Sequence, residues 1–150
     1  MTQLIRTDSE NPDFVALVLQ LDADLAKRDG KDHSFYAQFN KIAAIKHVIV
    51  AYENKKPIGC GAIKELSPDS MEVKRMFTLP ESRAKGIATK ILTELETWAK
   101  ELSYSKCMLE TGKRQPEAIA LYQKNGYRIV PNYGQYIGIE NSVCFEKLLN

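Results

Sequence analysis

The spacing of apolar residues predicts a helix near the start of the chain. Asn11, Pro12 and Asp13 provide a capping side chain, a proline suited to the first turn and a negative charge beside the positive helix end. The apolar residues that follow recur at helical intervals: Phe14, Leu17, Val18, Leu21 and Leu25. We expect a short strand near Leu4 to Arg6 before this helix and a second short helix from about His33 to Asn40 after it.

Between Lys46 and Leu79 the pattern changes to that of β-strands. The chain contains three runs rich in apolar and β-branched residues, HVIVAYE, PIGCGAIKEL and MEVKRMFTL. Turn-forming residues separate the runs, Asn54-Lys55-Lys56 after the first and Ser67-Pro68-Asp69-Ser70 after the second. Because short turns join antiparallel neighbours, this segment predicts a three-stranded antiparallel meander.

The second half of the chain alternates helices with strands. A long helix is predicted from about Gly86 to Leu102, because one face carries Ile87, Ile91, Leu92, Leu95, Trp98 and Ala99. It is followed by a strand at Lys106 to Glu110, a helix at about Pro116 to Asn125, a strand from Tyr127 and a final strand at about Val143 to Leu148. No repeat or linker interrupts this order, so we expect residues 1–150 to form a single α/β domain. Residues 131–141 are not assigned to an element.

Composition narrows the functional classes. The chain has 150 residues, of which 44% are hydrophobic and 27% charged, and its formal net charge is +2. This balance is typical of a globular domain and lacks the basic excess of nucleic-acid-binding proteins. The longest apolar runs are far shorter than the roughly 18 residues of a membrane span, and the polar start lacks the apolar core of a signal peptide. We expect a soluble cytoplasmic protein with no membrane or nucleic-acid partner.

Cysteine and histidine usage gives no sign of a metal site. Cys60, Cys107 and Cys144 are odd in number, lack the CxxC spacing of zinc ligands and have apolar or glycine neighbours. We interpret them as buried strand thiols. His33 and His47 are the only histidines and form no HExxH motif. No metal is therefore expected.

The segment LPESRAKGIAT, from Leu79 to Thr89, is the strongest candidate for chemistry because it joins a predicted strand to the long helix. A loop entering a helix N-terminus presents unpaired amides and the positive end of the helix dipole, which suits a phosphate. Gly86 and Ala88 leave room near the backbone, while Arg83 and Lys85 add positive charge. The segment is neither a Walker A loop nor a GxGxxG loop. The alternative is a basic exposed turn with an ordinary glycine.

Two blocks of the sequence resemble the GNAT (N-acetyltransferase) family. Arg83-x-x-Gly86-x-Ala88 matches the family's acyl-CoA pyrophosphate signature, in which Arg or Gln is followed by xxGx and then Gly or Ala. The stretch QPEAIALYQKNGY, from Gln115 to Tyr127, resembles the second block, NxxAxxLYxxxGF, with Gln and Tyr in place of the usual first Asn and last Phe. The resemblance covers about Val48 to Leu148, and two blocks in order are more specific than either alone.

The resemblance implies a fold and a donor site. The fold would be that of GNAT-like acyl-CoA N-acyltransferases, with a mixed, mostly antiparallel sheet of about seven strands and helices on both faces. Acetyl-CoA would be the acyl donor, with its pyrophosphate on the loop and its pantetheine arm between two splayed strands. An irregularity near Met76 would aim a backbone amide at the thioester carbonyl. The implied donor-binding residues are Met76, Phe77, Thr78, Arg83, Ala84, Lys85, Gly86, Ile87, Ala88, Thr89, Thr111 and Gln115.

Acyl transfer to an amine needs a proton acceptor and a proton donor. Neutralising an alkylammonium of pKa ~10.4 at pH 7 costs roughly 4–5 kcal/mol, so a general base helps. Glu72 lies where several family members carry a catalytic glutamate, and the alternatives are a surface carboxylate paired with a cross-strand lysine, or a water relay. Tyr122 matches the family's usual donor to the leaving thiolate, and the alternative is a tyrosine packed on the sheet.

The acceptor side of the site is less defined. By the resemblance, His33 and Tyr36 of the second helix and Tyr136 near the end of the chain would border the acceptor pocket. A surface histidine and loop packing are the alternatives for these residues. A covalent thiol mechanism at Cys60 is a further alternative to direct transfer.

The implied function is an acetyl-CoA-dependent N-acetyltransferase that acts on a primary amine of a small molecule or peptide, by direct transfer in a ternary complex. One alternative is a protein N-terminus or lysine as acceptor. Another is a noncatalytic acyl-CoA-binding protein that retains the fold. The resemblance is also compatible with a homodimer. The acceptor amine itself does not follow from the sequence.

Overall fold

The computed structural model describes residues 2–29 and 44–150. The predicted second helix, with His33 and Tyr36, lies outside these residues. In chain order the elements are β1 (Thr2–Thr7), α1 (Pro12–Asp29), β2 (His47–Glu53), β3 (Lys56–Ser67), β4 (Ser70–Thr78), α2 (Ile87–Glu101), β5 (Lys106–Gly112), α3 (Pro116–Lys124), β6 (Arg128–Val130) and β7 (Ser142–Leu148). Short 3-10 helices lie at Pro80–Ser82 and Gly134–Tyr136. Every element predicted within the described part of the chain is present.

The strands form one sheet in the order β1-β2-β3-β4-β5-β7-β6. Neighbouring strands are antiparallel except β4 and β5, which are parallel. The meander predicted from residues 46–79 is confirmed as β2, β3 and β4, and the expected mixed, mostly antiparallel sheet with helices on both faces is confirmed. No helix among the described residues is both long and apolar enough to cross a membrane.

α1 begins at the side chain expected to cap it. The Oδ1 atom of Asn11 accepts hydrogen bonds from the backbone amides of Asp13 (2.8 Å) and Phe14 (3.2 Å). Two amides that lack an intrahelical partner are thereby satisfied. The apolar face predicted from the spacing is buried in the core through Phe14, Leu17, Val18 and Leu21.

α2 packs closely on β3 because two glycines lie beneath it. A Cβ atom at Gly61 would lie 2.9 Å from Cγ2 of Ile91 and 3.0 Å from Cδ1 of Leu95, and one at Gly59 would lie 3.1 Å from Cδ1 of Ile91. Ile91 and Leu95 are fully buried. The glycines therefore allow an approach that larger residues would prevent. This packing holds the start of α2 beside the end of β4.

Candidate functional site

β4 and β5 separate after a short stretch of pairing. Their parallel register covers only Ser70 with Lys106, Met71 with Cys107 and Glu72 with Met108. Both strands continue beyond these pairs, to Thr78 and Gly112. The backbone edges beyond the paired stretch border a cleft, so the expected splay of these strands is confirmed. Ligands commonly bind at the carboxyl ends of parallel strands, which is where this cleft lies.

β4 carries a bulge beside the cleft. The register of β3 on β4 shifts between Cys60 and Ala62, so that Gly61 alone lies opposite both Arg75 and Met76. Arg75 has a φ of 60°, in the left-handed region that non-glycine residues rarely adopt. The irregularity expected near Met76 is therefore confirmed. A bulge bends its strand and re-aims the groups beside it.

A groove of about 250 Å³ leads from the end of β4 towards α3. One side consists of residues predicted to bind the donor: Met76, Phe77, Thr78, Arg83, Ala84, Ile87, Ala88 and Gln115. The other side comes from α1 and α3 and includes Arg28, Glu117 and Tyr122. Arg28 and Glu117 form an ion pair between the two helices. Eight of the predicted donor-binding residues thus lie together along one groove.

The loop after β4 leaves backbone amides open at the N-terminus of α2. Ala84 and Gly86 have φ values of 63° and 78°, and no side chain caps the helix. Within the described residues, no hydrogen bond reaches the amides of residues 84–89. The first amide that bonds back into the turn is that of Lys90, to the carbonyl oxygen of Gly86 at 3.1 Å. Open amides at the positive end of a helix dipole favour an anion.

Arg83 brings positive charge to this loop. Its Nε donates a 2.8 Å hydrogen bond to the carbonyl oxygen of Thr78, and its guanidinium carbon lies 5.6 Å from the centre of the Phe77 ring. These contacts hold the base of the side chain at the end of β4 while the residue remains exposed. Lys85 is exposed in the same loop. The loop therefore combines open amides with two cations.

A smaller cavity of about 120 Å³ adjoins the groove. Five residues line both spaces: Leu21, Met76, Gln115, Ala118 and Tyr122. The polar residues that line the cavity come mainly from β4 and β5: Glu72, Lys74, Arg75, Glu110, Thr111, Gln115, Tyr122 and Tyr136. A ligand that filled the groove would thus have one end beside a polar cavity, with Tyr122 and Met76 at the junction.

Glu72 is buried at this cavity, with 7% of its surface exposed. Its Oε2 accepts a 2.6 Å hydrogen bond from the hydroxyl of Tyr133, and its Oε1 lies 3.4 Å from Nζ of Lys74. The interpretation of Glu72 as a surface carboxylate paired across strands is wrong, because the residue is buried and the lysine is on the same strand. The sequence predicted the position of Glu72 but not the tyrosine that orients it.

Tyr122 packs against aromatic side chains and also lines both the groove and the smaller cavity. Its ring centre lies 5.8 Å from that of Tyr127 and 5.9 Å from that of Phe145. Burial, and secondly the negative charge of Glu110, raise the pKa of the Tyr122 hydroxyl above its ordinary value near 10. The phenol is therefore protonated at neutral pH and able to donate a proton.

The remaining predicted site residues within the described part of the chain do not line the groove. Thr111 lines the smaller cavity, as Tyr136 does, although Thr111 was expected to contact the donor. The hydroxyl of Thr89 accepts a 3.3 Å hydrogen bond from Nδ2 of Asn125. Gly86 contributes its positive φ to the loop. The positions of His33 and Tyr36 fall outside the described residues.

The three cysteines are fully buried, as expected. The thiol of Cys60 donates a 3.3 Å hydrogen bond to the carbonyl oxygen of Arg75, and burial raises its pKa to about 12. A thiol of this pKa is protonated at neutral pH, whereas the thiolate is the nucleophile. The buried position therefore disfavours a covalent mechanism at Cys60.

Three charged residues of the cavity were missed as site residues, Lys74, Arg75 and Glu110. Arg75 is buried on the bulge, and Glu110 lies on β5 at the cavity. The adjacent charges of Lys74 and Arg75 interrupt the alternation of a buried strand, and this interruption is a sequence signal for a bulge. No comparable local signal identifies Glu110.

Comparisons with known proteins agree with this geometry. The model of the acetyltransferase (GNAT) family matches residues 13–127. A protein of Azospirillum brasilense named IAA acetyltransferase is 36% identical over 102 residues, which are 67% of this chain and 67% of that protein. The matched region includes the loop of residues 84–89, the cavity residues Glu72 and Glu110, and Tyr122.

Solved structures are similar over nearly the whole chain. A protein from Klebsiella pneumoniae described as an acyl-CoA N-acyltransferase superposes with a TM-score of 0.84 and 26% identity, covering 100% of this chain and 99% of that one. A GNAT family acetyltransferase from Elizabethkingia anophelis, solved with acetyl-CoA bound, has a TM-score of 0.71 and 20% identity over 99% and 98% of the two chains. The sheet order and the cleft described above therefore belong to a known fold.

Proposed function

Since the chain belongs to the GNAT acetyltransferase family, we propose that it transfers an acetyl group from acetyl-CoA directly to a primary amine of a small molecule or peptide. The observation that carries this proposal is the junction of the groove and the cavity at Tyr122. A donor in the groove and an amine in the cavity would meet there. Holding two reactants in this way removes much of the entropic barrier to their reaction.

The open amides of residues 84–89 support a site for the donor's diphosphate. No described group satisfies these amides, so a ligand phosphate would replace water rather than an internal hydrogen bond. The charges of Arg83 and Lys85 would add to the attraction. Replacing either side chain with glutamine is expected to weaken CoA binding in calorimetry, and unchanged affinity would count against their role.

The thioester carbonyl would lie beside the bulge of β4. A backbone amide aimed at the carbonyl oxygen stabilises the negative charge that develops there during acyl transfer, and removal of one such donor typically costs about 10²–10³ in rate. Met76 lines both the groove and the cavity. Its position at the junction supports a role for the bulge backbone in polarising the thioester.

Glu72 is the proposed acceptor of the amine's proton. The buried carboxylate lines the cavity and is oriented by Tyr133. A base held in this way would maintain a neutral amine for attack, either by direct contact or through one water. The nitrogen would then attack the thioester carbon as the bond between carbon and sulfur breaks.

Tyr122 is the proposed donor of a proton to the departing thiolate. Its raised pKa keeps it protonated but also makes it a weaker acid. The same dry surroundings raise the basicity of the thiolate, which offsets part of that mismatch. The proton would pass from the phenol to the sulfur, so that free CoA leaves as the thiol.

The test is the release of free thiol from acetyl-CoA across a panel of small amines, peptides with free N-termini, lysine-containing peptides and intact proteins. Turnover with a small amine or peptide is expected, and turnover confined to intact proteins would favour a protein acetyltransferase. CoA binding without turnover on any acceptor would indicate a noncatalytic acyl-CoA-binding protein and contradict the proposal.

A further inference from the structure

We propose that Arg75 and Asp22 form a positioning pair that holds the bulge of β4, and with it the backbone that polarises the donor's thioester carbonyl. The inference rests on the proposed function and concerns residues that neither sequence block contains. Nη1 of Arg75 donates a 2.8 Å hydrogen bond to Oδ1 of Asp22, 53 residues away in the sequence, and so joins β4 to α1.

The bulge needs an anchor because its backbone is strained. Arg75 has a φ of 60°, and a non-glycine residue in this region costs on the order of 1–3 kcal/mol. Such a conformation persists only where surrounding contacts enforce it. Gly61 lies opposite the bulge and brings no side chain that could enforce it. The enforcing contacts must therefore come from the side chain or carbonyl of Arg75, or from its neighbours.

Contacts on two sides restrain Arg75. Its side chain is only 3% exposed and pairs with Asp22, whose side chain is 44% exposed. Its carbonyl oxygen accepts the hydrogen bond from the thiol of Cys60. Because a buried guanidinium without a partner is strongly disfavoured, the ion pair restricts where the side chain can lie. The side chain thus ties the bulge to α1, while the carbonyl ties it to β3.

The anchored residue adjoins the junction of the two spaces. Arg75 lines the cavity, and the next residue, Met76, lines both cavity and groove. On α1, Leu21 precedes Asp22 and also lines both spaces. A relaxation at Arg75 would rotate the peptide that links it to Met76. Loss of the pair should therefore alter how the thioester is held more than how tightly CoA binds.

The experiment is infrared difference spectroscopy of acetyl-CoA labelled with ¹³C at the thioester carbonyl, bound to the full chain. This measurement needs no acceptor. The variants are Arg75→Met, Asp22→Ala and the conservative Arg75→Lys. The Asp22→Ala change removes the ion-pair partner at a half-exposed helix position and leaves every core side chain in place. Arg6→Met is the matched control, because Arg6 joins β1 to α2 through ion pairs with Glu94 and Glu101.

In the wild-type chain the bound carbonyl is expected to absorb at lower frequency than free acetyl-CoA. Arg75→Met and Asp22→Ala should return the band towards the free value while CoA affinity stays within about twofold. Arg75→Lys should retain most of the wild-type shift, and Arg6→Met all of it. An unchanged band in both Arg75→Met and Asp22→Ala would overturn the inference. Failure of the wild-type chain to bind acetyl-CoA would instead refute the proposed function.

Discussion

The hydroxyl of Tyr133 donates a 2.6 Å hydrogen bond to Oε2 of Glu72, and so ties the loop between β6 and β7 to β4. Burial, and secondly the charge of Glu72, raise the pKa of Tyr133, so the hydroxyl stays protonated and the bond keeps its direction. The carboxylate is thereby fixed at the wall of the cavity. Its other oxygen faces Lys74.

The hydrogen bond between Tyr133 and Glu72 predicts that substitutions of the two residues lower turnover to different extents. Glu72→Gln keeps the shape of the side chain but removes its ability to accept a proton, so turnover should fall by about 10²–10³. Tyr133→Phe removes only the orienting bond and should lower turnover by about tenfold. Steady-state rates at saturating acetyl-CoA measure both. Equal activity of Glu72→Gln and wild type would exclude Glu72 as the base.

Tyr122→Phe should lower kcat with little change in the affinity for CoA, because the ring and its packing remain while the proton is lost. The raised pKa of Tyr122 also predicts that its ionisation causes no loss of turnover between pH 7 and its ordinary value near 10. Calorimetry and thiol release over this range test both statements. A fully active phenylalanine variant would remove Tyr122 from the mechanism.

The buried thiols predict a loss of stability at alkaline pH. Burial raises the pKa of Cys60 and Cys107 to about 12 and that of Cys144 to about 11, from 9.0. Well below pH 9 the thiols are protonated in both states and contribute no pH dependence. Above it the unfolded chain releases protons that the folded chain keeps, so the free energy of unfolding falls by about 1.4 kcal/mol per pH unit for each thiol.

Urea unfolding in the presence of reductant, from pH 7 to 10.5, measures this dependence. The Cys60→Ala variant is the control, since it should show a shallower decline than the wild-type chain. A free energy of unfolding that stays level through pH 10.5 would show that the thiols are not held protonated by burial.

Gly61→Ala should destabilise the chain by about 1–3 kcal/mol, because the new methyl group has no room. The added Cβ would lie 2.5 Å from Sδ of Met76 and 2.9 Å from Cγ2 of Ile91. Combining it with Ile91→Ala should relieve part of the clash, so the double variant should lose less stability than the two single variants summed. Strict additivity in thermal unfolding would contradict the proposed crowding.

Most of the fold could be predicted because its signals are local. The cap at Asn11, the apolar face of α2 and the turns between strands each depend on residues a few positions apart, and each prediction is confirmed. The loop at residues 131–141 could not be assigned because its order comes from distant contacts. Its Tyr133 bonds to Glu72, and Tyr136 lies at a cavity bordered by β4 and β5.

The candidate site, like the fold, was predictable only where its residues lie close together in the sequence. The loop of residues 83–89 and Tyr122 lie in contiguous motifs, so the resemblance could point to them as candidates. The pairing of Arg75 with Asp22 joins residues far apart in the chain and depends on the sheet placing β4 under α1. A contact of this kind produces no periodic pattern in the sequence. The roles of Glu72 and Tyr122 in catalysis remain predictions for the experiments above.

The proposed mechanism depends on the backbone amides at the start of α2 binding the diphosphate of acetyl-CoA. A crystal structure of the chain grown with CoA tests it most directly. The expected result is a diphosphate within hydrogen-bonding distance of the amides of residues 84–89, with the thiol end reaching the junction beside Tyr122. A diphosphate bound elsewhere, with those amides engaged by the protein itself, would show that the start of α2 is not the donor site.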